Sequence, residues 1–141
     1  MKNLLLDNFN QYNLDLTFRE INTKDHNAEL EFLDVLHVTD PNAMGGFYTK
    51  DFIKPTAVGQ TFLNGKSHHP RQVFKGIMVG EYTRMKRLNE TKKGLIESIN
   101  KLENKCIKSS FEDKLVRETI QEIKTKIDED VNNVRDKKEQ E

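Results

Sequence analysis

The chain has 141 residues, 35% of them hydrophobic and 33% charged, enough for one domain with a thin core. Its apolar runs are only a few residues long, which excludes an ordinary transmembrane helix, and its lone cysteine, Cys106, excludes an internal disulfide. The 23 basic and 23 acidic residues cancel overall but segregate: residues 1–40 carry 3 basic and 8 acidic groups, residues 41–110 carry 13 and 5, and residues 111–141 carry 7 and 10. A positive middle between acidic ends fits a phosphate-facing patch, and it fits equally an internal match of acidic ends to a basic centre.

The N-terminal residues MKNLLLDNFNQYN suit a short helical or irregular arm and lack the length and cleavage pattern of a signal peptide. The expected location is therefore intracellular, cytoplasmic or nuclear. Leu14, Leu16 and Phe18 alternate with polar residues, the period of a strand with one wet face. After the turn NTKDHN, the run ELEFLDVLHV (Glu29 to Val38) resumes alternation and changes phase near Leu33, as at a bulge. Asp40-Pro41-Asn42 and Gly45-Gly46 bound a turn, and Gly46 to Lys50 reads as a third strand. Pro55 and Gly59 argue against a long strand or helix from Phe52 to Phe62.

Helix begins after Pro70, a good first-turn residue. Gly76 and Gly80 predict two short helices or one kinked helix up to Leu88, with Val79, Tyr82 and Met85 inward. Asn89 and Thr91 can cap the next helix, whose apolar stripe is Leu95, Ile99, Leu102 and Cys106. Ser109 with Glu112, and Ser110 with Asp113, fit the capping-box spacing before a last helix. That helix carries Val116, Ile120, Ile123, Ile127, Val131 and Val134, a stripe near enough to a heptad for self-association as well as internal packing. The expected fold is α+β: a small antiparallel β-meander followed by a helical hairpin or bundle. Residues 1–66 hold the arm and strands, and residues 67–141 hold the helices.

Catalytic and metal chemistry have little footing. The adjacent His68 and His69 cannot both serve one tetrahedral ion without an unusual backbone, Cys106 lies on an apolar stripe, and there is no Gly-Lys-Ser/Thr phosphate loop. No cofactor, metal site or catalytic residue is expected. Asp34, inside FLDV, reads as a carboxylate held by a turn or by an arginine. His69 and Pro70 read as helix-start residues. The basic set is the strongest lead: Arg71 and Lys75 are four apart, Arg84 and Arg87 three apart, and Lys92 and Lys93 follow. Guanidinium forks on successive helices suit successive phosphates.

Four segments in order extend this reading: FLDV (Phe32 to Val35), FYTKDFIKPTAVGQTFL (Phe47 to Leu63), SHHPRQVFKGI (Ser67 to Ile77) and GEYTRMKRL (Gly80 to Leu88). With LTFRE (Leu16 to Glu20) before them, they resemble the region that follows the palm in Penelope-like and related retroelement reverse transcriptases, a region termed an animal helix-turn-helix domain. The resemblance spans about residues 14 to 125. On it, Asp34 matches the FLDV aspartate, Lys54-Pro55-Thr56 a Lys-Pro-Thr turn, and Ser67, His69 and Pro70 a Ser-x-His-Pro step. Arg84 and Arg87 match the arginines of the first long helix. Residues 50–53 stand as an insertion before Lys54.

The resemblance implies thumb-like helices beside a primer–template duplex, with the upstream palm of a parent RNA-directed DNA polymerase as a partner. The polymerase carboxylates are not expected in this chain, which has no Asp-Asp pair, so it should not itself be an enzyme. The expected function is binding of RNA, DNA or hybrid duplex through phosphates, by Arg71, Lys75, Arg84, Arg87, Lys92 and Lys93. Asp34, Pro55, His69 and Pro70 are expected to be structural. The alternative is a helical protein-interaction or oligomerisation module without nucleic-acid activity.

Overall fold

A computed structural model describes residues 2–12, 17, 19–57, 59 and 61–139. The chain is α+β. Helix α1 (Lys2–Asn10) is followed by strands β1 (Glu29–Phe32), β2 (Val35–Thr39) and β3 (Phe47–Asp51), then by a 3-10 turn at Pro55–Ala57. Helices α2 (Arg71–Leu88), α3 (Lys92–Lys108) and α4 (Asp113–Glu139) complete the chain. The strands form one antiparallel sheet in the order β1-β2-β3. The strand expected over 14–19 rests on Leu14, Leu16 and Phe18, which lie outside the described residues.

The phase change at Leu33 is a hairpin turn, not a bulge. β1 stops at Phe32 and β2 starts at Val35, so Leu33 and Asp34 are the two central residues. Leu33 adopts φ 55°, the positive value that two-residue hairpin turns need at their first central position.

Two compact units divide the chain, residues 1–30 with 37–48 and residues 31–36 with 49–141. In the first, Thr39 is fully buried and its hydroxyl accepts from the Ala28 amide at 2.8 Å. The link after β2 closes by Asp40 N donating to the Gly46 carbonyl at 3.0 Å. Gly45 and Gly46 take φ of 87° and 79°, which explains the glycine pair there.

In the second unit α2, α3 and α4 share one core. Along α2 the buried side chains are Phe74, Met78, Tyr82 and Met85. Met78 takes the inward place expected for Val79, which is 38% exposed. α2 runs as one helix through Gly76 and Gly80, and a Cβ on either would meet nothing within 4 Å, so neither glycine marks a close contact. Thr91 caps α3, accepting from the Gly94 amide at 3.1 Å. Leu95, Ile99, Leu102 and Cys106 are buried, as are Val116, Ile120, Ile123 and Ile127 of α4. Each such side chain contributes about 1.5–3 kcal/mol when fully removed from water. The side chains of Val131 and Val134 lie outside the described residues.

The expected capping boxes at Ser109 and Ser110 do not form. Ser109 ends α3, its hydroxyl donating back to the Lys105 carbonyl at 2.8 Å, and Ser110 takes φ 63° to turn the chain. The loop ahead of α2 is stitched onto this link. Phe62 N donates to Ser109 Oγ at 2.9 Å and Gly65 N to the Ser109 carbonyl at 2.8 Å. Phe111 packs against both Phe62 and Phe74. These contacts bind the loop to the helices within the second unit. Among the described residues no helix is long and apolar enough to cross a membrane.

Candidate nucleic-acid interface

Three of the six cations singled out in the sequence, Arg71, Lys75 and Lys92, are engaged by acids of α4. Arg71 pairs with Glu112 at 3.3 Å and with Glu118 at 3.2 Å. Lys75 pairs with Glu122 at 3.0 Å, and Lys92 with Asp128 at 2.9 Å. Lys86 pairs with Asp130, and that hydrogen bond raises the Lys86 pKa above its ordinary value. The acidic C-terminal segment is thus matched to α2 and to the start of α3, the internal reading of the segregated charge. All of these side chains are about half exposed, so the pairs contribute little each. Arg87 and Lys93 are exposed and make no ion pair among the described residues.

Arg84 is held differently. Its guanidinium reaches Asp34 at 3.0 Å and Glu81 at 3.7 Å, so the hairpin turn and α2 are linked through one arginine. Asp34 is also fixed through its backbone, whose carbonyl accepts from Phe52 N at 2.8 Å. Pro55 opens the 3-10 turn, closed by Ala57 N donating to the Lys54 carbonyl at 2.8 Å. His69 Nδ1 lies 2.9 Å from Ser67 Oγ, and its ring meets Phe74 edge-on. Pro70, with φ −59°, stands immediately before α2.

The end of β3 is fastened to the link between α2 and α3. Glu90 N donates to the Thr49 carbonyl at 3.0 Å, and Thr49 N donates to Glu90 Oε2 at 2.9 Å. Asp51 is buried, and its carboxylate accepts a hydrogen bond from the Ser98 hydroxyl. Asn89 Nδ2 donates to Ser98 Oγ at 3.1 Å and to the Met85 carbonyl at 2.8 Å, while its Oδ1 accepts from Asp51 N at 3.3 Å. The Ser98 hydroxyl replaces part of the water this buried carboxylate gives up. Gly94 makes room: a Cβ there would lie 2.9 Å from Asn89 Oδ1.

This fastening fixes the edge of a groove of about 240 Å³ bounded by α2, α3 and residues 51–57. Its cations are Lys54, Arg84, Lys101 and Lys105, and its acids are Asp34, Asp51 and Glu81. Phe52, Ile53, Phe62, Met85 and Leu102 give it an apolar lining. The Lys105 ammonium sits 4.1 Å from the Phe62 ring centroid, a cation–π contact that holds it at the wall. Asp34 and Glu81 both lie against Arg84, and Asp51 accepts from Ser98.

Lys101, Lys105 and Lys108 recur at four and three residues along α3, so they share a face. None makes an ion pair among the described residues. The spacing was present in the sequence, but so were the more conspicuous arginines of α2. The packing of α4 separates the two sets, since it pairs Arg71, Lys75 and Lys86 of α2 and leaves this face of α3 without acidic partners.

Cys106 is buried in the core and burial pushes its thiol up to about 12. Among the described residues no group of three or more His, Cys, Asp or Glu side chains could hold a metal ion.

Residues 61–121 match the family model described as the animal helix-turn-helix domain. The match begins at the loop stitched to Ser109, covers α2 and α3 with the link 89–91 between them, and ends in α4. Comparison with curated proteins and with solved structures finds no match.

Proposed function

We propose that this chain binds the sugar–phosphate backbone of a nucleic-acid duplex, as the post-palm, thumb-like part of a retroelement reverse transcriptase with no polymerase centre of its own. The observation that carries the reading is the lysine row Lys101, Lys105 and Lys108, left without acidic partners on the second helix of a helix-turn-helix region. In helix-turn-helix binders the second helix approaches the duplex while the first crosses the backbone. Lysines are point charges without the bidentate geometry that reads base edges, so binding is to phosphates, with little sequence preference. RNA, DNA and hybrid duplexes all present such phosphates, and the resemblance of FLDV through GEYTRMKRL favours a primer–template hybrid.

The palm of the parent polymerase is the protein partner this reading requires. Exposed Phe32 and Leu33 at the hairpin tip, 64% and 67% accessible, offer apolar surface for it. The interaction-module alternative has less support. The stripe it would use is buried at Val116, Ile120, Ile123 and Ile127 against the chain's own helices.

Lysine acetylation footprinting tests the proposal. With a hybrid duplex bound, Lys101, Lys105 and Lys108 are expected to be protected from the reagent, while Lys75 and Lys86 react as in the free chain. Protection confined to α2, or absent from α3, would overturn it.

A further inference from the structure

We infer that the groove beside α3 takes one nucleotide of an unpaired strand, its base against Phe52 and Ile53 and its phosphate among Lys54, Lys101 and Lys105. The inference rests on the nucleic-acid reading and adds a second kind of contact to it. A lysine row alone suffices for a duplex backbone, which needs neither a recess nor an apolar lining. The groove has both.

Its charge selects the occupant. The lining cations Lys54, Arg84, Lys101 and Lys105 outnumber the lining acids Asp34, Asp51 and Glu81, and Asp34 and Glu81 both lie against Arg84. Lys54, Lys101 and Lys105 make no ion pair among the described residues, and Lys105 lies over the Phe62 ring. The unbalanced charge in the recess is therefore positive, and the complementary ligand is an anion.

Its lining and size narrow the class further. A free inorganic anion would leave Phe52 and Ile53 in contact with water, whereas a nucleotide covers them with a planar base. At about 240 Å³ the recess is below the roughly 300 Å³ at which pockets for drug-sized ligands begin, room for one base with its phosphate at the rim and too little for a base pair inside a duplex. Lys105 is held in place by Phe62 before any ligand arrives, which reduces the ordering cost of binding. Lys101 and Lys105 belong to both the row and the recess. A strand followed along α3 by its phosphates would thus deliver its unpaired end to the groove.

The test uses the full chain and three labelled hybrids: blunt, with a two-nucleotide single-stranded overhang, and with the same overhang made abasic. The expected result is about tenfold tighter binding of the overhang hybrid than of the blunt one, the scale of one stacked base, with the abasic overhang falling back to the blunt value. Phe52→Ala should remove the gain and leave blunt-duplex binding as it was. Lys54→Gln, an exposed loop change with no packing role, should reduce the gain if Phe52→Ala proves unfolded by circular dichroism. Equal binding of blunt and overhang hybrids would overturn the nucleotide site while leaving the duplex reading intact. An abasic overhang as good as the intact one would also overturn it, reducing the recess to a phosphate contact. Failure of all three hybrids to bind would remove both readings together.

Discussion

A Cβ built on Gly65 would lie 2.0 Å from the carbonyl oxygen of Ser110. The neighbouring atoms are backbone, at the turn between α3 and α4, and cannot swing aside as a side-chain tip can. Gly65→Ala should therefore separate the loop from that turn and break the bond from Gly65 N to the Ser109 carbonyl. A loss of about 1–3 kcal/mol or more in urea unfolding is expected, the range for overpacking a closed site. Gly80→Ala is the contrast: with nothing within 4 Å of its Cβ and a helical backbone, it should gain about 0.5–1 kcal/mol. Equal effects from the two changes would contradict the packing of this loop.

Ser98 is the hinge of the buried polar cluster that joins β3 to the helices. Ser98→Ala removes the donor to Asp51 and the acceptor for Asn89, leaving a buried carboxylate short of a partner. The expected cost is about 1–3 kcal/mol in the same unfolding experiment, the desolvation penalty of an unsatisfied group. Asp51→Asn in the Ser98→Ala background should recover part of it, since the neutral amide is cheaper to bury. No recovery would show that the charge of Asp51 is not what the serine serves.

The ion pairs between α2 and α4 should behave as surface pairs. Lys75→Ala is expected to change stability by less than about 1 kcal/mol, because both Lys75 and Glu122 are roughly half exposed. Raising the salt from 50 mM to 1 M should shrink even that difference. A loss of several kcal/mol would mean that α4 is held by charge rather than by Val116, Ile120, Ile123 and Ile127.

Much of this arrangement was legible in the sequence. The apolar stripes of α3 and α4 have helical spacing and an unambiguous inward face. Pro70 and Thr91 mark two helix starts by residue chemistry alone. Other features depend on contacts between distant residues. Leu33 takes a positive φ that its side chain disfavours, so the turn was concealed inside an apolar run. Ser109 has the spacing of a helix cap, yet its hydroxyl serves Lys105 and Phe62. The candidate interface was half legible: a basic centre was plain, but which cations face outward depends on where the acids of α4 come to lie.

Cys106 supplies a pH prediction. Its thiol is pushed up to about 12 by burial, from an ordinary value of 9.0. The folded pKa is the higher one, so the unfolded chain loses its thiol proton first. The stability associated with the neutral buried thiol is complete below pH 9 and declines as pH rises from about 9 toward 12. Cys106→Ala should flatten that alkaline decline, while creating a cavity that lowers stability at neutral pH. At pH 8 the native thiol should resist iodoacetamide on the timescale of unfolding, whereas a fast-reacting thiol would contradict its burial.

The salt dependence of binding to an RNA–DNA hybrid is the most direct measurement, taken as log Kobs against log salt for the wild-type chain and for Lys101→Ala/Lys105→Ala. Each phosphate deprived of its lysine should lower the slope by about 1, so the double variant should bind more weakly, with a slope reduced by about 2. Arg71→Ala/Lys75→Ala should leave the slope close to wild type, because α4 already neutralises those cations. The reverse pattern would place the phosphates on α2, and no binding of the wild-type chain at low salt would contradict autonomous nucleic-acid binding altogether.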